Sequence, residues 1–127
     1  MADSERRKRG AEMLKEVYAG DVAAPPPGMP FVDLMLEHLF AEVWTREALD
    51  IRDRRLILLG IIAEKGEPTT FGIQAKSALK RGELSPEQLR EALVMIANYA
   101  GYPRAASLVG VIEKAIAEFE AEARESG

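Results

Sequence analysis

An unbroken apolar run, Leu56-Ile57-Leu58-Leu59-Gly60-Ile61-Ile62-Ala63, follows directly on Asp50-Ile51-Arg52-Asp53-Arg54-Arg55. Asp50 is placed to cap a helix, and Asp53 falls in its first turn, where a carboxylate faces the unpaired amides of the helix start. Gly66 stops the pattern. A helix that is apolar all round has no side suited to water. This one is therefore expected at the centre of the domain, and the rest of the chain has to cover it.

The cover reads as helical throughout, with no convincing strand alternation. Asp3 or Ser4 caps a first helix that runs to about Tyr18, ended by Gly20 and Asp21. Pro25-Pro26-Pro27-Gly28 is a stiff extended connector, too short to separate two domains. A second helix runs from Pro30 or Phe31 to Trp44, with Val32, Leu36, Leu39 and Val43 as an apolar stripe at helical spacing. After the central helix, Pro68 opens a fourth, with Phe71, Ala75, Ala78 and Leu79 on one face and Gly82 as its stop. Ser85-Pro86-Glu87-Gln88 is the clearest helix start: a capping serine, a proline at the first helical position and a side-chain acceptor three residues on. Leu89, Leu93, Ile96, Ala97 and Ala100 mark its inner face. Gly101 and Pro103 separate it from a last long helix carrying Ala105, Leu108, Val109, Ile112, Ile116 and Phe119 inward, with a polar, fraying end from Glu118 to Gly127. The expected fold is an all-α bundle of six helices in a single domain, residues 1–127.

Composition narrows the function. The chain has 127 residues, enough for one self-sufficient core. A hydrophobic fraction of 47% leaves room for apolar surface that a partner covers. A net charge of -4 and a pI near 5.1 argue against nucleic acid as a partner. No apolar run approaches a membrane span, and the charged start, Met1 to Gly10, is no secretory signal, so a cytoplasmic protein fits. There is no cysteine and one histidine, His38. That removes thiolate and paired-histidine metal sites, disulfides and thiol redox chemistry. No acidic residues are spaced as a calcium loop, and no glycine loop cradles phosphate, so neither a metal nor a cofactor is expected.

The remaining candidates are few. His38 is either a half-buried histidine satisfied by a neighbouring carbonyl or carboxylate, or a general acid or base. Glu37 lies toward the other side of the same helix and is either solvated or a partner in proton transfer. Glu64, at the end of the apolar helix, is an exposed terminus or a functional carboxylate with a raised pKa. Arg52, Arg54 and Arg55 form an ion-pair network, with Arg54 in reach of Asp50, or a carboxylate-binding fork. Arg6-Arg7-Lys8-Arg9 reads as a solvated helix start, and Trp44 as a packing anchor.

The ordered set of motifs resembles the carboxymuconolactone decarboxylase family, within the wider alkylhydroperoxidase D-like fold. Glu5-Arg6-Arg7-Lys8-Arg9-Gly10 resembles the family's arginine-rich opening helix, and Val43 to Arg54 its tryptophan-to-LDxRxR segment. Ala75 to Gly82 resembles its "xxAALxxG" helix. Glu87 to Leu93 and Asn98 to Ala106 resemble the following helix and its "YxGxPxA" turn. The resemblance implies an all-α subunit in a ring-like homo-oligomer, a hexamer or trimer. It also implies one of two chemistries: decarboxylation of carboxymuconolactone in aromatic-acid catabolism without metal or organic cofactor, or peroxide reduction by a Cys-x-x-Cys pair. With no cysteine, only the first carries over. Gln74 stands where decarboxylase relatives have a histidine. Glutamine orients a substrate by hydrogen bonding but is no proton donor at neutral pH. The expected site for a small carboxylate substrate is then Gln74 with Glu37, His38 and Glu64 as proton-transfer candidates, and Arg52, Arg54 and Trp44 as binding residues. The alternative is a non-catalytic oligomeric binder or scaffold of the same fold.

Overall fold

A computed structural model describes residues 3–126, and every regular element among them is helical. The chain falls into two compact units, Met1–Arg54 and Arg55–Gly127. Among the described residues there are six helices. They are α1 (Glu5–Val17), α2 (Pro30–Leu34) with its unbroken π-helical continuation (Met35–Val43), α3 (Ile51–Lys65), α4 (Pro68–Lys80), α5 (Pro86–Ala100) and α6 (Tyr102–Ser126).

In unit 1 the second helix departs from the expected periodicity. From Met35 the hydrogen bonds widen to i→i+5, as in the bond from the Trp44 amide to the Leu39 carbonyl at 2.9 Å. A π-helix returns to the same face every four to five residues. The buried set is therefore Leu36, Phe40, Ala41 and Trp44, while Leu39 turns outward and Val32 and Val43 are half-buried. Trp44 stacks on Phe40 with ring centroids 6.1 Å apart, and Phe40 meets Tyr18 at 6.2 Å, so the tryptophan is the packing anchor expected of it. α1 lies against this segment at Gly10. A Cβ there would collide with the Leu36 backbone carbonyl, so the approach requires glycine.

The basic opening is not uniformly solvated. Ser4 caps α1 by accepting from the Arg7 amide at 3.0 Å. Arg7 is buried: its Nε donates to Asp33 Oδ1 at 2.7 Å, Nη2 to the Pro25 carbonyl at 2.7 Å and Nη1 to Asp3 at 3.4 Å. Asp33 Oδ2 accepts from the Gly28 amide at 3.1 Å. Both ends of the proline connector are thus tied to one ion pair. The Arg7 hydrogen bond holds the Asp33 carboxyl below its usual range, against the opposing effect of burial and with help from the Gly28 amide.

In unit 2, α6 packs against both α4 and α5. Ser85 forms the expected capping box with Gln88, each side chain accepting from the other's backbone amide at 3.0 to 3.1 Å. Leu59, Ile62 and Ala63 of α3 join the core with Phe71, Ala75, Ala78 and Leu79 of α4 and Leu108, Ile112 and Ile116 of α6. The apolar run of α3 is not covered all round. Ile57 is 54% exposed and Ile61 47%, one turn apart on a single stripe. Val109 of α6 is likewise outside the core. The end of α6 stays helical through Ser126. Glu118 and Glu122 reach Lys76 of α4 at 3.3 and 2.9 Å. Burial pulls the Lys76 ammonium down, but these two carboxylates outweigh it and its pKa is raised.

Candidate active site

The buried polar groups of unit 2 gather on α4. Pro68 sets its first turn, and the helix period places Gln74 and Ser77 on the same inward side as Phe71, Ala78 and Leu79. Gly82, at φ +71°, reverses the chain just past the helix end, and the Glu83 amide then bonds back to the Ala78 carbonyl at 2.9 Å. That reversal brings the Glu83 carboxylate, 6% exposed, against Arg55 of α3, which is fully buried. The pair is a fork: Nε to Oε1 at 3.0 Å and Nη2 to Oε2 at 3.2 Å. Arg81 Nε also donates to Glu83 Oε2, at 2.6 Å.

Arg55 has a further partner. Its Nη1 donates to Gln74 Oε1 at 2.5 Å, and both side chains are almost wholly buried. A guanidinium has donors only, so the amide atom facing it must be the oxygen. Gln74 therefore turns its NH2 group away from Arg55. Three residues on, the Ser77 hydroxyl is buried and has no hydrogen-bond partner.

The residues singled out in the sequence are distributed as follows. In unit 1, Glu37 and His38 are neighbours on the π-helical segment. Glu37 is half-buried and accepts from Ser4 Oγ at 3.2 Å, whereas His38 is exposed rather than half-buried. Trp44 is interior. Arg52 and Arg54 are half-buried. Arg54 does not pair with Asp50: its Nη2 donates to the Arg46 carbonyl at 2.9 Å, its Nε has no partner, and Asp50 instead caps α3 through the Asp53 amide at 2.8 Å. In unit 2, Glu64 is exposed at the end of α3, and Gln74 is buried in the cluster just described. Among the described residues no group of three or more acidic or histidine side chains is arranged to hold a metal ion. No helix among them is long and apolar enough to cross a membrane.

Glu83 and Ser77 were not among the expected site residues; Arg55 was expected in an ion-pair network or a carboxylate fork, and it forms an ion pair with Glu83. Arg55 carried a signal, because Arg55, Leu59, Ile62 and Ala63 share one helical face and that face is interior. Glu83 carried none, since its role depends on a contact 28 residues away in sequence.

Comparison with known proteins matches residues 30–114 to the carboxymuconolactone decarboxylase family. The chain belongs to that family. It is 30% identical over 113 residues to the nitrosuccinic acid decarboxylase of Metarhizium robertsii, covering 84% of this chain and 78% of the relative. It is also 28% identical over 72 residues to an uncharacterized protein of Methanocaldococcus jannaschii, covering 57% of this chain and 69% of that protein. The chain is thus a decarboxylase-like member of an all-α family. The family match takes in Gln74, Ser77 and Glu83 of the buried cluster, and Arg55 that orients it.

Proposed function

We propose that this protein is a cofactor-independent decarboxylase of a small carboxylic acid, with a cyclic carboxylate of the carboxymuconolactone type, from aromatic-compound catabolism, as the leading substrate. The observation that carries the reading is the likeness, over most of both chains, to a decarboxylase. Loss of CO2 breaks the carbon–carbon bond and leaves its electron pair on the substrate carbon. A conjugated lactone carbonyl or a nitro group on that carbon takes up the charge, and a proton completes the reaction. Gln74 is the proposed orienting group: Arg55 holds its amide oxygen, and an amide of this kind hydrogen-bonds a substrate oxygen that gains negative charge. Arg52, Arg54 and Trp44 are proposed to bind substrate, and Glu37, His38 and Glu64 to be proton-transfer candidates, each tested singly by substitution.

The test is turnover by purified protein, following CO2 release and loss of absorbance with carboxymuconolactone and, separately, with nitrosuccinic acid. Gln74→Ala should lower kcat on the order of a hundredfold, the effect of losing one preorganised donor to a developing anion. No turnover of either compound by correctly folded protein removes the decarboxylase reading and favours a non-catalytic binder. One observation supports that second reading: the residue at the centre of the cluster is an amide, which cannot supply a proton.

Self-association is proposed as well. Phe31 is 82% exposed and Leu34 66% in unit 1; in unit 2 Tyr99 is 84% exposed, Tyr102 66% and Met95 62%. Apolar surface of this kind is usually covered by a partner. A homo-oligomer, hexamer or trimer, is the expected species in light scattering, and a lone 14.0 kDa species at micromolar concentration rejects it.

A further inference from the structure

The side of the second helix turned away from α1 is apolar, and one titratable group stands within it. α1 meets this helix at Leu36, opposite Gly10, and Leu36, Phe40 and Ala41 are buried. The outward side carries Phe31, 82% exposed, Leu34, 66%, and Leu39, 40%, with the exposed His38 among them. Their spacing keeps the four on one stripe along α2 and its π-helical continuation. The neighbouring charges are engaged off the stripe. Glu37 accepts from Ser4, Glu42 pairs with Arg6 of α1 at 3.0 Å, and Asp33 is buried against Arg7. Lys8 of α1 pairs with Glu5, and Arg9, Glu12, Lys15 and Glu16 are exposed on that helix.

Phe31, Leu34 and Leu39 together leave roughly 350 Å² of apolar side chain in water. A stable dimer covers about 800 Å² on each partner, apolar at the centre and polar at the rim. The stripe supplies such a centre, and the Arg6–Glu42 pair with half-buried Met35 and Val43 supplies an edge. It is also self-complementary. Turned about a two-fold axis through the middle of the stripe, Phe31 of one copy meets Leu39 of the other, Leu34 meets His38, and the two Glu42 carboxylates lie at opposite ends. A parallel pairing would set Glu42 beside Glu42.

We propose that a second copy of this chain docks antiparallel on this stripe, and that His38 at its centre ties the pairing to pH. The inference rests on the self-association reading and names the surface and its regulation. Histidine ordinarily changes charge between pH 5 and 8. A neutral imidazole is buried between two copies at small cost, whereas a protonated one gives up water for a leucine. The two-fold axis doubles that cost. Pairing is made at neutral pH and weakened in acid.

The experiment follows wild type, Leu34→Glu and His38→Phe by light scattering at micromolar concentration, at about pH 7.5 and about pH 5.5. Circular dichroism confirms that each is folded. Leu34→Glu should raise the dissociation constant about a hundredfold and at least halve the mass at neutral pH. Wild type should lose about tenfold in affinity on acidification. Loss of net charge near the pI of about 5.1 would by itself do the opposite. His38→Phe should pair equally at both pH values. A lone 14.0 kDa wild type at neutral pH rejects self-association, and this surface with it. An oligomer that Leu34→Glu leaves whole overturns the surface while self-association stands. An oligomer that Leu34→Glu breaks and acid does not, or acid sensitivity that His38→Phe retains, overturns the role of His38.

Discussion

Both units bury an arginine against a carboxylate, and the two pairs are completed in different ways. In unit 1, Arg7 uses Asp33, Asp3 and a proline carbonyl, and Asp33 takes a backbone amide in return. The pair closes on main chain and clasps a connector. In unit 2, Arg55 uses Glu83 and a neutral amide, Glu83 also serves Arg81, and a hydroxyl one turn along is left over. A buried polar cluster that ends on backbone is a structural tie. One that spends charge on orienting an amide beside an unsatisfied hydroxyl has the form of a binding site.

The sharpest way to break this contrast is to leave Arg55 without its anion. Glu83→Ala should cost about 3–5 kcal/mol in urea unfolding followed by circular dichroism, the usual penalty for stranding a buried charge. A loss near zero would mean that Arg55 reaches solvent. Unit 1 is best attacked through its backbone contact. Gly10→Ala should cost about 1–3 kcal/mol as the Leu36 carbonyl is pushed away. The only tryptophan, Trp44, lies in this unit, so its fluorescence should report the change. An unshifted midpoint would show that α1 and the π-helical segment are less close than described. Ser85→Ala removes a cap in unit 2 away from the polar seam. It should cost about 1 kcal/mol and leave catalysis intact, which separates loss of stability from loss of the site.

The gentlest probe is pH. The folded Asp33 pKa lies below its ordinary value of 3.8, so the unfolded chain takes up the proton first. The stabilisation is present in full above that value and is lost as pH falls through the lower, folded pKa. The Trp44 transition should therefore weaken in acid, and Asp33→Asn should flatten that limb while lowering stability at neutral pH, because it leaves the buried Arg7 charge without its main anion.

Much of the fold was legible because helix ends are written locally. Ser4, Asp50 and the Ser85 to Gln88 box cap the helices they were expected to cap, and Gly82 ends α4 as expected. Burial was less legible. Arg7 looked like one of four surface cations, and the distant Asp33 and the Pro25 carbonyl hold it inward. Ile57 and Ile61 looked interior because apolarity alone cannot say which stripe of a helix is covered. In the candidate site, Gln74 was found through a family motif. Glu83 and Ser77 matter because of a chain reversal and a missing partner, neither of which is visible in residue type.

The π-helical segment bears on how this chain compares with its relatives. Its hydrogen bonds close over five residues, and Leu36, Phe40 and Trp44 follow one another at steps of four on its buried side. A homologue with one residue fewer between Met35 and Val43 would keep both ends of the helix but present a different set of side chains to α1. In this stretch an alignment gap marks a rotation of the helix, and positions that line up in sequence on either side of it need not line up in space.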